Sequence, residues 1–125
     1  MKKIINTPNA PAPIGPYSQA VQSGNMLFVS GQVAINPATG DLVMDSLEAE
    51  TTQVMNNLQA VLSEAGFGFD NIVMTTIFLA DMGDFATVNS IYGKYFTADF
   101  PARATVAVKT LPKNVNVEIS VIAVK

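Results

Sequence analysis

The sequence contains no cysteine and no histidine, and its only arginine is Arg103. Without cysteine, the chain can form no disulfide and has no thiolate nucleophile. Without histidine, it can build neither an imidazole metal site nor a Ser/His/Asp triad. Any chemistry must therefore use carboxylates, hydroxyls, lysine, the single arginine, backbone groups and water, and we expect neither a metal nor a cofactor.

Charged residues are also scarce. They make up 14% of the 125 residues and hydrophobic residues make up 49%, whereas about 25% charged residues is usual. One small core cannot bury that much apolar surface, so we expect a homo-oligomer. The net charge is −3 and the lysines are scattered, so we do not expect a nucleic acid partner. The absence of a long apolar run or a signal-peptide pattern predicts a cytoplasmic protein that makes no membrane contact.

Hydrophobic periodicity predicts a single α+β domain over residues 1–125. The element order is strand, strand, helix, strand, helix, strand, strand. The predicted strands cover 18–22, 26–33, 72–79, 102–109 and 115–124, and the predicted helices run from about 45 to 65 and from about 84 to 96. We expect one mixed β-sheet with both helices packed on one face, which leaves the other face for partners.

The last two predicted strands carry Arg103 and Glu118. We expect these strands to form an antiparallel hairpin, in which matching apolar faces puts both residues on one polar face. A solvated ion pair worth under about 1 kcal/mol is the plain explanation of such a pair. A binding role is favoured because the only arginine lies two residues after Pro101, at the head of a strand. A guanidinium can grip a carboxylate with two parallel hydrogen bonds, which lysine cannot do.

Three further residues are candidates, each with two explanations. Tyr17 follows a Gly-Pro turn at the end of a proline-rich arm, where it is either a packing aromatic or a ligand contact. Gly31 interrupts a strand, which indicates a β-bulge or the close approach of a ligand. Asn89 lies beside the apolar stripe of the second helix, as a hydrogen-bonded surface residue or as a ligand contact.

Several segments occur in a fixed order over the whole chain: PIGPYSQA, VSGQ followed by NPATG, FATVNSIYGKYF, and PARATVAVKTLP with a closing VEI. On these segments the sequence resembles the YjgF/Rid family of enamine and imine deaminases. The resemblance implies a chorismate-mutase-like fold and a homotrimer with three clefts between adjacent subunits. It also implies a 2-iminobutanoate/2-iminopropanoate deaminase, in which a 2-aminoacrylate-type enamine tautomerises to a 2-imino acid. Water then hydrolyses this small substrate to a 2-oxo acid and ammonia without a cofactor.

The same resemblance assigns roles to residues. Arg103 would grip the substrate carboxylate with help from the backbone amides of Gly31 and Thr105, and Glu118 would position or activate water. The other positions that line or support the cleft are Tyr17, Ser30, Asn89 and Phe85, the last from a neighbouring subunit. Many family members carry a cysteine where this chain has Thr105, so we expect no thiol-dependent reaction.

Three other functions remain open. The same cleft would suit a non-catalytic protein that binds 2-oxo acids or other small carboxylates and acts as a metabolite sensor. The resemblance also raises an RNA-cleaving or translation-inhibiting activity, against which the pI of about 4.6 and the absence of histidine argue. A purely structural trimer is the third.

Overall fold

The computed structural model describes residues 1–125, which form six strands and two α-helices. In chain order these are β1 (Lys2–Ile5), β2 (Ala20–Ser23), β3 (Met26–Gln32), α1 (Leu47–Glu64), β4 (Ile72–Leu79), α2 (Phe85–Gly93), β5 (Ala102–Ala107) and β6 (Val117–Val124). Short 3₁₀ helices occupy Phe69–Asn71, Met82–Asp84 and Pro112–Asn114. Neither α-helix combines the length and the apolar composition that crossing a bilayer requires.

All six strands belong to one sheet in the order β1-β2-β3-β6-β4-β5. Neighbouring strands are antiparallel except β4 and β5, which are parallel. The expected mixed sheet in one small domain is therefore confirmed. The sequence does not predict β1, because this edge strand reads KKII and buries only Ile5, so it shows no alternation of polar and apolar residues.

The expected hairpin between the last two strands is wrong. β5 pairs with β4, and β6 crosses back to lie between β3 and β4. The nine residues between β5 and β6 are more than the two to five of a usual hairpin loop. They include Lys113 and Asn114 with φ of 57° and 56°. β6 is also the more apolar of the two strands, and a central place in the sheet buries every second side chain of it.

Both helices pack against one face of the sheet, as expected. α1 begins after Ser46, whose hydroxyl accepts a hydrogen bond from the Ala49 amide at 3.0 Å, so the capping residue lies one position after the expected Asp45. α2 ends earlier than expected, at Gly93, because glycine is a weak helix former and tighter turns follow it. The core contains 21 buried residues. A buried leucine such as Leu58 contributes about 1.5–3 kcal/mol.

The other face of the sheet is uncovered in the single chain. Phe28 is 41% exposed and Val106 is 45% exposed, and pairing places Ile122 beside Phe28 and Phe78 beside Val106. β4 is therefore an inner strand of the sheet that its own chain covers on only one face. An exposed apolar surface of this kind is typical of a protein–protein contact.

Candidate active site

Arg103 lies on the edge strand β5, next to α2. Its Nη1 donates a hydrogen bond to Asn89 Oδ1 at 2.6 Å. Its Cζ lies 5.6 Å from the ring centroid of Phe85 and 5.2 Å from that of Tyr92. Each cation–π contact is worth about 0.5–1 kcal/mol at an exposed site. The bond to Asn89 uses one of five N–H donors, so the guanidinium is held in place and keeps donors for a carboxylate.

Tyr92 packs against the guanidinium and is itself fixed to the sheet. Its hydroxyl donates to Thr75 Oγ1 at 2.9 Å in a buried position. Burial raises the pKa of Tyr92, and the hydrogen bond to Thr75 and the charge of Arg103 lower it by less. The sequence alone does not single out Tyr92, because its spacing fits the core. The available signal was the spacing of residues 85, 89 and 92, which puts three side chains on one face of a helix.

The cleft beside Arg103 is open and has a volume of about 450 Å³. Its lining residues are Asn89, Tyr92, Gly93, Phe100, Pro101 and Arg103. Thr105 follows two residues later on β5 and therefore points to the same face as Arg103. Its Oγ1 is buried without a hydrogen-bond partner.

Glu118 lies on β6 against the backbone of Gly31. A Cβ atom at position 31 would lie 2.6 Å from Glu118 Oε2, so any residue other than glycine there would displace the Glu118 carboxylate. The register between β3 and β6 also shifts between Val29 and Gln32. The strand irregularity expected at Gly31 is therefore present, whereas the close approach is not that of a ligand. The approaching group is a carboxylate of the chain itself.

The Glu118 carboxylate lines a narrow cavity of about 90 Å³. Tyr17, Gln19, Gly31 and the loop residues Pro112 and Lys113 are among its other lining residues. Burial raises the pKa of Glu118 above its usual value, which makes the carboxylate a stronger base. Ordinary ligand pockets measure about 300–1,000 Å³, so this cavity alone is small for a metabolite.

Ser30 and Tyr17 hold the proline-rich arm beside this cavity. Ser30 Oγ donates to the Ser18 carbonyl at 2.6 Å. The Tyr17 hydroxyl accepts a long hydrogen bond of 3.4 Å from the Ile14 amide, and the side chain is 51% exposed. The Ser30 proton is therefore used within the chain, whereas the Tyr17 hydroxyl still has a proton to donate.

Gln19 anchors the arm, and the sequence alone does not single it out. It is 1% exposed. Its Nε2 donates to the carbonyls of Thr7, Ala10 and Pro11 at 3.0, 3.2 and 2.9 Å, and its Oε1 accepts from the Thr7 amide at 2.7 Å. A segment rich in proline lacks amide donors for a strand ladder, so this one side chain fixes it.

Arg103 and Glu118 do not share a face of the sheet. Arg103 pairs with Thr75 on β4, and Glu118 pairs with Phe78. An offset of three residues places the two side chains on opposite faces, with their backbones about 14 Å apart. The expected shared polar face is therefore wrong, because β4 separates the two strands.

The predicted site residues thus form two groups in the chain. Phe85, Asn89, Arg103 and Thr105 lie at the α2 edge of the sheet, and Phe85 contacts Arg103 of its own chain, not that of a neighbouring subunit as expected. Tyr17, Gly31 and Glu118 line the narrow cavity, and Ser30 holds the arm beside it. The first group can bind an anion, and the second can orient water and accept a proton. Nowhere in the structure do three or more acidic side chains converge to hold a metal ion.

Known proteins match this chain over nearly its full length. Residues 7–125 match the family model described as Endoribonuclease L-PSP. The chain is 49% identical over 125 residues to the 2-iminobutanoate/2-iminopropanoate deaminase of Mus musculus, a match that covers 100% of this chain and 93% of the mouse protein.

Solved structures are equally similar. A putative endoribonuclease from Thermotoga maritima superposes with a TM-score of 0.98 at 50% identity, covering 100% of this chain and 98% of that chain. E. coli TdcF with bound serine superposes with a TM-score of 0.94 at 40% identity, covering 98% of each chain. The chain therefore belongs to the Endoribonuclease L-PSP family, which is the YjgF/Rid family that its motifs indicated.

Proposed function

We propose that the protein is a cofactor-independent deaminase that hydrolyses 2-aminoacrylate-type 2-imino acids to 2-oxo acids and ammonia. The observation that carries the proposal is that the chain holds two complementary groups: a guanidinium with free donors in an open cleft, and a carboxylate of raised pKa in a narrow cavity. The name of the mouse relative supports the substrate class.

We infer that the two halves meet between subunits of a homotrimer. The carboxylate and the imine carbon of a 2-imino acid are adjacent atoms, so one substrate cannot reach Arg103 and Glu118 of the same chain, which lie about 14 Å apart on opposite faces. A contact between β5 of one subunit and the Glu118 cavity of the next brings them together. The exposed edge strand and the uncovered apolar face support such a contact.

Arg103 binds the substrate carboxylate in this arrangement. Asn89, Phe85 and Tyr92 already fix the guanidinium, so little side-chain freedom is lost on binding. The backbone amide of Thr105 on the edge strand and that of Gly31 at the strand irregularity add donors. The carboxylate is thereby held with the imine carbon facing the narrow cavity.

Glu118 acts on water. It accepts a proton as the water oxygen bonds to the carbon of the protonated imine, and the C=N double bond becomes a single bond in a neutral carbinolamine. It then gives this proton to the nitrogen, the C–N bond breaks, and the departing ammonia takes the hydroxyl proton, which leaves a 2-oxo acid and ammonium. Positioned proton transfer contributes about 10²- to 10⁴-fold in rate, which suits a substrate that already hydrolyses slowly in water.

The test generates 2-aminoacrylate in situ with a pyridoxal-phosphate dehydratase and follows the formation of 2-oxo acid. Added protein should accelerate the reaction, and Arg103→Ala should abolish the acceleration while the variant stays folded. Lys2→Ala, which removes an exposed cation from the far edge of the sheet, is the matched control. Near-wild-type turnover by folded Arg103→Ala would refute the proposal.

A second function, the binding of small carboxylates without turnover, is favoured by the serine bound to E. coli TdcF. Glu118→Gln separates the two. An enzyme loses its rate in this variant and keeps its affinity for 2-oxobutanoate. A binding protein shows the affinity, but no turnover even in the wild type.

A further inference from the structure

Glu50 is a buried carboxylate that the proposed reaction does not use. It lies on α1 and is 1% exposed. Its Oε2 accepts from the amides of Asn116 at 2.8 Å and Val117 at 3.2 Å, and its Oε1 accepts from Asn116 Nδ2 at 2.8 Å. Both oxygens are thus engaged, as a buried carboxylate requires. All three donors belong to two consecutive residues.

Those two residues directly precede Glu118. Val117 is the first residue of β6, so Glu50 holds the strand at the point where it enters the sheet. Glu118 points to the opposite face, because side chains alternate along a strand. A helix on the covered face therefore fixes the backbone immediately before the carboxylate on the other face.

The loop before β6 depends on the hydrogen bonds to Glu50 for its position. It contributes Pro112 and Lys113 to the lining of the Glu118 cavity. Lys113 and Asn114 both have positive φ, at 57° and 56°, a region that costs free energy for residues other than glycine. Within the plane of the sheet, the end of this loop is held by the Ala80 amide, which donates a hydrogen bond to the Asn116 carbonyl at 3.0 Å. Glu50 holds the same loop end from α1, which packs on the covered face of the sheet.

We propose that Glu50 is a positioning residue for Glu118, which fixes the entry of β6 and the loop wall of the cavity from behind. The inference rests on the proposed deaminase function. Arg103, which binds the substrate carboxylate, lies on β5 and has no contact with Glu50. Glu50 therefore acts on the chemical step and not on substrate affinity.

The main test is Glu50→Gln. The amide can still accept from the two backbone N–H groups, but the negative charge that strengthens these hydrogen bonds is lost, and Asn116 must turn its side-chain amide over to present Oδ1 to the new NH₂ group. We expect kcat to fall about 10- to 100-fold, the cost of a displacement of roughly 1 Å in a catalytic group, with KM within about two-fold of wild type. Glu48→Gln makes the same change at an exposed position two residues earlier on α1 and should leave both constants unchanged.

A paired exchange separates positioning from a general loss of structure. In the double variant Glu50→Gln/Asn116→Asp, the NH₂ of residue 50 donates to the new carboxylate and its oxygen accepts from both amides. This restores the hydrogen bonds with the two groups exchanged, so kcat should recover. If Glu50→Gln does not fold, Asn116→Ala decides instead, because it removes only the side-chain donor. Asn116→Ala should also lower kcat.

Hydrogen exchange gives a readout that does not depend on turnover. The amides of Asn116 and Val117 should exchange faster in Glu50→Gln than in wild type. If the wild type has no deaminase activity, the proposed function fails, and exchange still shows whether Glu50 holds the strand. A folded Glu50→Gln with kcat within about two-fold of wild type, a fall in kcat that the paired exchange does not reverse, or unchanged exchange at both amides overturns the inference.

Discussion

Two inactive variants should restore each other's activity when their subunits are mixed. Arg103→Ala keeps the Glu118 cavity, and Glu118→Gln keeps the guanidinium that Asn89, Phe85 and Tyr92 hold. In the proposed trimer, each variant alone lacks one half of every cleft. In a mixed trimer, a cleft is intact wherever a subunit with Arg103 meets a neighbour with Glu118.

The magnitude follows from the geometry. The two residues of one chain lie on opposite faces about 14 Å apart, so no chain can form a cleft from its own residues. In a 1:1 mixture of a ring with head-to-tail contacts, each half is present with a chance of about one half, so about one quarter of the clefts are intact. The mixture should therefore recover about 25% of the wild-type rate.

The assay exchanges subunits under mild denaturant, restores native conditions and measures 2-oxo acid formation from 2-aminoacrylate. The matched control mixes Arg103→Ala with the double variant Arg103→Ala/Glu118→Gln. That mixture contains no guanidinium at position 103 and should stay inactive. If the first mixture shows no recovery although mass spectrometry confirms mixed trimers, the cleft between subunits is refuted.

Three further predictions concern single residues. Burial raises the pKa of Glu118 from 4.5, so the folded state binds its proton more tightly. The wild type should lose stability relative to Glu118→Gln as the pH rises above 4.5, with no further loss above the folded-state pKa, and chemical denaturation at several pH values checks this. The rate should fall on the acid side of that same pKa, and an unchanged pH–rate profile in Glu118→Gln would contradict the role of base. Gly31→Ala should displace the Glu118 carboxylate and lower kcat by about 10-fold or more, whereas Gly24→Ala, at an open turn with φ of 59°, should affect only stability. Tyr92→Phe leaves the buried Thr75 hydroxyl without its partner and should destabilise the fold by about 1–3 kcal/mol in thermal unfolding; equal melting temperatures would contradict it.

The sequence predicts the bounds of single strands and helices better than it predicts which strands pair with each other. The bounds of β4 match the expected 72–79, and α1 lies within the expected helix, because a buried strand and a five-turn amphipathic helix show their periodicity locally. The pairing of β6 between β3 and β4 depends on contacts far apart in the sequence. No local pattern reports it.

The faces of β5 show why the site was only partly predicted. The hairpin hypothesis turns Val106 towards the core, but Val106 lies beside Phe78 on the uncovered face. Both faces of the sheet are apolar, so parity alone does not tell which one the helices cover. The sequence does not single out Gln19 and Glu50 for a related reason. A single polar residue in an arm or a helix looks like a surface residue until its distant partners are known.

The position of β6 also has a consequence for the order of folding. Until β6 inserts, β1, β2 and β3 form one piece of sheet and β4 and β5 another, with no ladder joining them. Closing the sheet requires pairings such as Val29 with Val121, which span most of the chain, and pairings of this kind form slowly. The same late event brings Glu118 against Gly31. The Glu118 carboxylate therefore cannot reach its place beside Gly31 before the sheet is whole.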